Sequence, residues 1–193
     1  MNRIAAVAIA LVLLTLCVHA QDAPAWSRAA KTDQLTGANS VEFTLLGKFL
    51  AAPNGPGAPT QPTLVARCIP GERSWGRFGG KFLEGYVLVG SVVDTHGSIV
   101  REAGIPVRYR LDDGKVQSAT WTQSTNYAGV FFSWADFANL LYAHMLPHKK
   151  NSSPPVRKVV ISIPEFLAAD IVAQFDMPEP SEVADACGIT RRK

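Results

Sequence analysis

The sequence predicts a mainly β fold, a β-sandwich or partly open barrel with one docked helix and a short C-terminal helix. Three observations predict it. Eight or so short segments rich in β-branched and aromatic residues are separated by Gly, Pro and Asp turn signals. Only one substantial stretch has helical spacing. Strands and helices do not alternate as βαβ units would require.

The chain's 193 residues fit one domain, at 47% hydrophobic and 9% aromatic residues that support a packed core. Residues 1–20 read as a cleavable export signal. Arg3 supplies the positive charge, Ile4 to Leu16 form a continuous apolar run, and Val18-His19-Ala20 provides the cleavage site before Gln21. The run is shorter than the roughly 20 residues that span a bilayer, which argues against an uncleaved anchor. A lipoprotein modified at Cys17 is the other rival reading, and the bulky Leu16 before the cysteine argues against it. The expected organisation is therefore a signal over 1–20 and a single β-rich domain over 21–193, periplasmic or secreted, with no transmembrane helix after cleavage.

Cleavage leaves two cysteines, Cys68 and Cys187. An even count in an exported chain reads as a disulfide. Free thiols and a metal pair are the alternatives, and two cysteines without a neighbouring histidine make a poor metal site. Cleavage also removes one basic residue, so the net charge falls from +3 to about +2. That balance points away from nucleic acid. The basic clusters His148-Lys149-Lys150 and Arg191-Arg192-Lys193 read as a solvated loop and tail.

Residues 21–39 form a lead-in segment anchored by Trp26. Val41 to Leu45 alternates apolar and polar residues, the period of a half-buried strand. A Pro/Gly loop fills 51–62. Thr63 to Ile69 is the next strand, then a Gly-rich stretch over 70–80 carrying Trp75 and Phe78, then a long β-prone stretch from Phe82 to Val93. Asp94-Thr95-His96-Gly97 makes a turn. Ile105 to Leu111 and Val116 to Thr122 read as a hairpin around Asp112-Asp113-Gly114, because Asp-Gly suits the positive φ angles of a tight primed turn. Ala128 to Ser133 is a short strand. Phe137, Leu140, Leu141 and His144 place a helix over 134–146, with Ser133 as a candidate N-cap and Pro147 as its stop. After the loop Asn151 to Pro155 come strands at Val159 to Ile163 and Ala169 to Phe175. A short helix follows from Pro180 to Ala186.

No catalytic signature stands out: there is no nucleophile elbow, zinc-protease helix or phosphate-binding glycine loop. His144 and His148 are four apart, but Pro147 breaks the helix between them. His96 sits in a turn. Asp112 and Asp113 are neighbours in a turn, where paired catalytic carboxylates rarely converge, and calcium would need more oxygens than lie nearby. Arg67 and Arg110 lie inside apparently core-facing strands. Internal ion pairing is one reading of them. The other is a cleft in which Arg110, Asp112, Trp121, Ser124 and Thr125 gather at one hairpin, joining a cation for carboxylate recognition, an apolar face and directed hydroxyls. No metal or cofactor is expected. Asn151-Ser152-Ser153 matches the glycosylation sequon, which matters only in a eukaryotic secretory pathway.

Several of these residues fall in an order similar to that of the TagO/VasI family of exported proteins associated with bacterial type VI secretion. They are Trp26 with Lys31 and Asp33; Pro62-Thr63-Leu64 leading to Arg67-Cys68; Val107-Arg108-Tyr109-Arg110-Leu111-Asp112 with Gly114; Trp121 with Ser124-Thr125 and Ala128; and Phe175 followed by Cys187. The resemblance runs from Trp26 to Cys187. The loops at 51–62, 70–80 and 94–104 are longer than the family's connections. The resemblance implies a periplasmic accessory role at the envelope, with an envelope or secretion-machinery protein as partner and no transferable catalytic residues. Three functions follow from the sequence: a non-enzymatic accessory or binding domain, a secreted hydrolase with an unrecognised site using Asp112 or His96, and an inhibitor or adhesin presenting long loops. The first is preferred because the catalytic set is missing.

Overall fold

The computed structural model describes residues 24–32, 37, 39–54, 58–70, 81–90, 104–124, 128–132, 136, 140, 156–165, 169–178 and 181–187. Within them run ten strands: β1 (Ser27–Thr32), β2 (Asn39–Leu46), β3 (Lys48–Ala51), β4 (Thr63–Pro70), β5 (Lys81–Leu88), β6 (Ile105–Leu111), β7 (Gln117–Gln123), β8 (Gly129–Phe131), β9 (Lys158–Ile163) and β10 (Ile171–Asp176). A short helix, α1 (Ser181–Ala186), follows. The fold is mainly β, as the sequence predicts. The strands form one antiparallel sheet in the order β1-β2-β4-β5-β8-β7-β6-β9-β10-β3, curled into a half-barrel.

Alternation builds the curl. Along β6 the inner positions Ile105, Val107 and Tyr109 are buried while Pro106, Arg108 and Arg110 are exposed. β9 and β10 repeat the period with Val159, Ile161, Ile163, Ile171, Ala173 and Phe175 inside. These residues share one apolar cluster with Phe43 and Leu45 of β2 and with Leu64 and Ala66 of β4. Strands distant in the sheet order thus face a common core.

Gly47 makes this possible. β2 pairs with β1 and β4, whereas its continuation β3 pairs with β10 at the far end of the sheet. The chain changes partners at Gly47. A Cβ there would come within 2.6 Å of the Phe175 ring and nearer still to the Gln174 carbonyl oxygen. Only glycine admits so close an approach of β10.

Two strands were not foreseen in the sequence. β1 lies in the predicted lead-in segment, and all six of its residues are exposed. It carries no apolar period and forms by pairing along its whole length with β2. β3 is a four-residue edge strand. Within the stretch predicted from Phe82 to Val93, β5 ends at Leu88: Val89 and Gly90 both donate to the Ala128 carbonyl, Gly90 adopts a left-handed φ of 65°, and Ser91 to Val93 lie outside the described residues. Of the helix predicted over 134–146, only Asp136 and Leu140 lie among the described residues, and Leu140 is buried in the core. The 70–80 stretch past Pro70 also lies outside them, with Trp75 and Phe78.

The predicted tight hairpin needs correction. The last β6–β7 pair is Tyr109 with Gln117; Arg110 and Leu111 continue β6 against β9 alone, and residues 112–116 connect the strands. The positive φ falls on Asp112, at 48°, not on the Asp113-Gly114 pair. The turn is closed by the Gly114 N–H donating to the Leu111 carbonyl at 2.9 Å.

Cys68 on β4 and Cys187 just after α1 are joined by a disulfide, with Cα atoms 5.4 Å apart and a separation of 119 positions in sequence. Both are buried, and Val183 of α1 packs into the same core. Closing so long a loop is worth about 4–5 kcal/mol on the chain-entropy account.

Gly47→Ala is expected to cost about 2–3 kcal/mol, because backbone and a buried ring must both give way. The urea midpoint of the oxidised protein measures this. A loss below about 0.5 kcal/mol would mean that β10 does not rest on Gly47.

Candidate functional site

Of the five residues predicted to gather at the hairpin, the four that are described take separate places. Trp121 points inward and is 1% exposed. It stacks on Tyr109 at 5.8 Å and meets Phe132 edge-on at 4.4 Å. Its Nε1–H donates to Asp136 Oδ2 at 3.0 Å, and the Tyr109 hydroxyl donates to Asp136 Oδ1 at 2.9 Å. One carboxylate therefore ties two buried aromatic side chains to the segment beyond β8. Arg110 points the other way, into solvent, and makes no side-chain hydrogen bond or ion pair with the described residues. Asp112 works as a clamp: its Oδ1 accepts the backbone N–H groups of Arg157 and Lys158 at 2.9 and 2.8 Å, and its own N–H donates to the Lys158 carbonyl. Ser124 closes the β7–β8 connection, its hydroxyl accepting from the Gly129 N–H at 3.0 Å. Thr125 lies outside the described residues, as do His96, His144 and His148.

Arg67 is paired. It lies on the outer face of β4, in register with Glu42 of β2 and Glu84 of β5. Its Nε donates to Glu84 Oε2 at 3.0 Å, Nη2 reaches the same oxygen, and the guanidinium lies over the Tyr86 ring at 5.7 Å. Glu42, 7% exposed, accepts from Lys31 Nζ at 2.6 Å and from the Tyr86 hydroxyl at 3.2 Å. Burial works against the charge on Arg67, but the hydrogen bond and charge of Glu84 outweigh it and raise its pKa. Burial, then the Glu42 charge, push the Tyr86 hydroxyl up to about 12. This is a satisfied cross-strand network. Glu165 is likewise committed: buried, it accepts from the Asn54 backbone N–H at 3.1 Å and holds the start of the Pro/Gly loop.

A polar cleft lies elsewhere on the described surface. A cleft of about 480 Å³ on the outer face is lined by Pro106, Arg108, Ser118, Thr120, Pro164 and Asp170, with the backbone at Val107 and Ala119. Cross-strand register brings the side chains together: Arg108 stands opposite Ser118 of β7 on one side and Ser162 of β9 on the other, and Pro106 opposite Thr120. Pro164 and Asp170 flank the terminal Ile163–Ile171 pair of β9 and β10. Arg108 Nη2 lies 2.8 Å from Asp170 Oδ2, and the Ser162 hydroxyl donates to the same oxygen at 2.7 Å. The sequence places Arg108 in a strand and among the residues of the family resemblance, but not in a site. Its outward position in the alternation was the available signal. Asp170, 62 residues away, gave none.

Fold and cleft together define a disulfide-closed antiparallel β half-barrel with a polar cleft on its outer face. Searches of family models, curated proteins and solved structures find no match to the chain. Among the described residues no helix is long and apolar enough to cross a membrane, and no three His, Cys, Asp or Glu side chains group as metal ligands.

Asp112→Ala is expected to cost about 2–3 kcal/mol, from two lost charge-assisted hydrogen bonds and a left-handed backbone on a residue that resists it. Asp112→Asn keeps one acceptor and tolerates the conformation, so it should recover most of the loss. Urea unfolding of both variants measures this, and equal losses would remove the clamp.

The tyrosines predict an alkaline limit. Burial, then the hydrogen bond and charge of Asp136, push the Tyr109 hydroxyl up to about 12 from an ordinary value of 10. A raised folded-state pKa favours the neutral form, so its contribution is complete below pH 10 and is lost as pH rises to about 12. Phenolate absorbance should show two tyrosines ionising well above 10, and Tyr109→Phe should remove one of them and flatten the fall in stability. Full ionisation near pH 10 would sink this reading.

Proposed function

We propose that the chain is an exported, non-enzymatic accessory or binding domain of the bacterial cell envelope, and that it assists a type VI secretion machine. The observation that carries the reading is the Cys68–Cys187 disulfide. These are the two cysteines left once residues 1–20 are removed, and disulfides persist where the compartment is oxidising. The apolar N-terminal run with its small-residue cleavage site supports the same address. Of the described polar residues of the predicted hairpin site, Asp112 and Ser124 are engaged in structural bonds and Arg110 stands apart, which supports an accessory domain over a hydrolase. The finer assignment to type VI secretion is supported by the resemblance between Trp26 and Cys187 to the TagO/VasI family.

Expression of the full chain in a bacterium, with fractionation and intact-mass analysis, tests the address. The expected product is periplasmic or released, begins at Gln21, and gains the mass of two hydrogens on reduction. A full-length cytoplasmic product with three alkylatable thiols would overturn export. Deletion of the gene in its host tests the finer reading: type VI secretion should fall while growth is unchanged, and undiminished secretion would leave a binding domain without that machine.

A further inference from the structure

We propose that the free edge of β1 takes an added strand, an extended peptide segment with an acidic residue that pairs with Arg28. The proposal deepens the reading of the chain as an accessory binding domain and rests on it for the source of that segment.

The sheet order ends at β1 on one side and at β3 on the other. Inside the sheet two strands outrun a neighbour: β6 over Ile105–Val107 toward β9, and β7 over Gln117–Trp121 toward β8. Among the described strands only β1 is both open along its whole length and exposed at every residue. β3 is four residues long, alternates exposed and half-buried positions, and pairs irregularly with β10.

Cross-strand bonds show which groups of β1 are free. Ser27 and Lys31 stand opposite Thr44 and Ser40, and their carbonyls accept from those residues' hydroxyls at 3.4 and 3.3 Å. The main-chain groups of Ser27 and Lys31 therefore face β2. Bonding direction alternates along an antiparallel strand, so Arg28, Ala30 and Thr32 turn their N–H and C=O groups to the free edge. No described residue bonds to them there. An open row of this kind is a template for strand addition, in which main-chain bonds supply affinity and alternate side chains supply specificity.

The side chains along the edge select the occupant. Arg28 is exposed, and no carboxylate of the described residues pairs with it. Lys31, by contrast, is already held by the buried Glu42. A carboxylate residue on the added strand directly opposite Arg28 shares its face, with the two Cβ atoms about 5 Å apart. Two places along, the small Ala30 leaves room for a β-branched side chain to reach Val41, which is opposite Ala30 on β2 and packs against the core. A second copy of the chain fits less well. Its β1 brings no anion, and the pair would gather the Arg28 and Lys31 cations of both strands. Cations on an edge guard it against its own kind; here they also admit an acidic strand.

NMR titration of the oxidised mature protein with the end-capped peptide Thr-Glu-Val-Thr-Glu-Thr tests the proposal. Run antiparallel to β1, the peptide sets its valine opposite Ala30 and its second glutamate opposite Arg28. Amides of residues 27–32 and 39–44 should shift in a saturable manner, with a dissociation constant of about 1 mM. Thr-Lys-Val-Thr-Lys-Thr should bind about fivefold more weakly or worse. Arg28→Ala should weaken the acidic peptide about threefold to tenfold, and Arg110→Ala on β6 not at all. Ala30→Pro removes an N–H that faces the free edge and none that β2 uses, so binding should be lost. Unchanged spectra away from each substitution show that the variants are folded. No saturable shift at β1, binding indifferent to Ala30→Pro, or equal binding of the lysine peptide overturns the proposal. Self-association of the protein that Ala30→Pro abolishes overturns it too, because the edge then belongs to a second copy. Export is decided separately: a cytoplasmic protein that binds the peptide keeps the edge and loses the envelope partner, and an exported protein that does not bind keeps its address and loses the edge.

Discussion

At Gly47 the chain leaves one end of the sheet and joins the other, and the curl depends on how closely β10 can approach that point. β2 belongs to β1 and β4; from Lys48, the residue after Gly47, the same chain is a partner of β10. No side chain separates the strands there, so the Phe175 ring sits against the bend and is wholly buried. Once the ends are brought together, Phe43 and Leu45 share a core with Ile161 and Phe175. An uncurled sheet would leave those inner faces in water, at about 25 cal/mol for each Å² of apolar surface. The disulfide acts on the same closure from outside the sheet. Cys68 stands on the inner face of β4, and its bond to Cys187 fixes α1 over the core. The bend sets the shape, and the disulfide narrows the unfolded ensemble that competes with it.

The two faces of the sheet divide the chemistry. The inner face is apolar, and Asp136 accepts from the polar ends of Tyr109 and Trp121, whose groups would otherwise be buried at a cost of about 1–3 kcal/mol each. The outer face holds the charges in cross-strand rows. Glu42, Arg67 and Glu84 stand opposite one another on β2, β4 and β5. Pairs of this kind are worth only about 0.2–1 kcal/mol. Their larger effect is on register, because a one-residue slip would send a glutamate or an arginine into the core.

What the sequence discloses follows the same division. β6 is legible to the residue, because Ile105 to Leu111 alternates cleanly and is bounded by Gly104 and Asp112. The disulfide is legible from a count, since removal of residues 1–20 leaves two cysteines. β1 is not legible: Ser27 to Thr32 has no apolar period, and its order comes wholly from β2. β3 is too short to show a period at all. The cleft is half legible. Arg108 can be placed on the outer face of β6 from its alternation alone, but Ser118 joins it only in the observed register, and Asp170 only because β9 lies between β6 and β10.

The hairpin connection shows how one residue of register separates a predicted site from the observed one. A two-residue turn at Asp113-Gly114 would pair Asp112 with Lys115, and hence Arg110 with Gln117 and Pro106 with Trp121. Residues directly opposite share a face. Trp121 would then have joined Arg110 on one side of the sheet, which is the constellation the sequence suggests. The observed pairing is Tyr109 with Gln117 and Ile105 with Trp121. The extra residue enters at Asp112, whose left-handed backbone and clamp on Arg157 and Lys158 commit it to β9 instead of to a symmetrical turn. That shift turns Trp121 inward, where the core and Asp136 hold it. It also leaves the outer face of β7 to Ser118 and Thr120, beside Arg108. The bond that removes the aromatic residue from the predicted cleft is thus the bond that assembles the polar one.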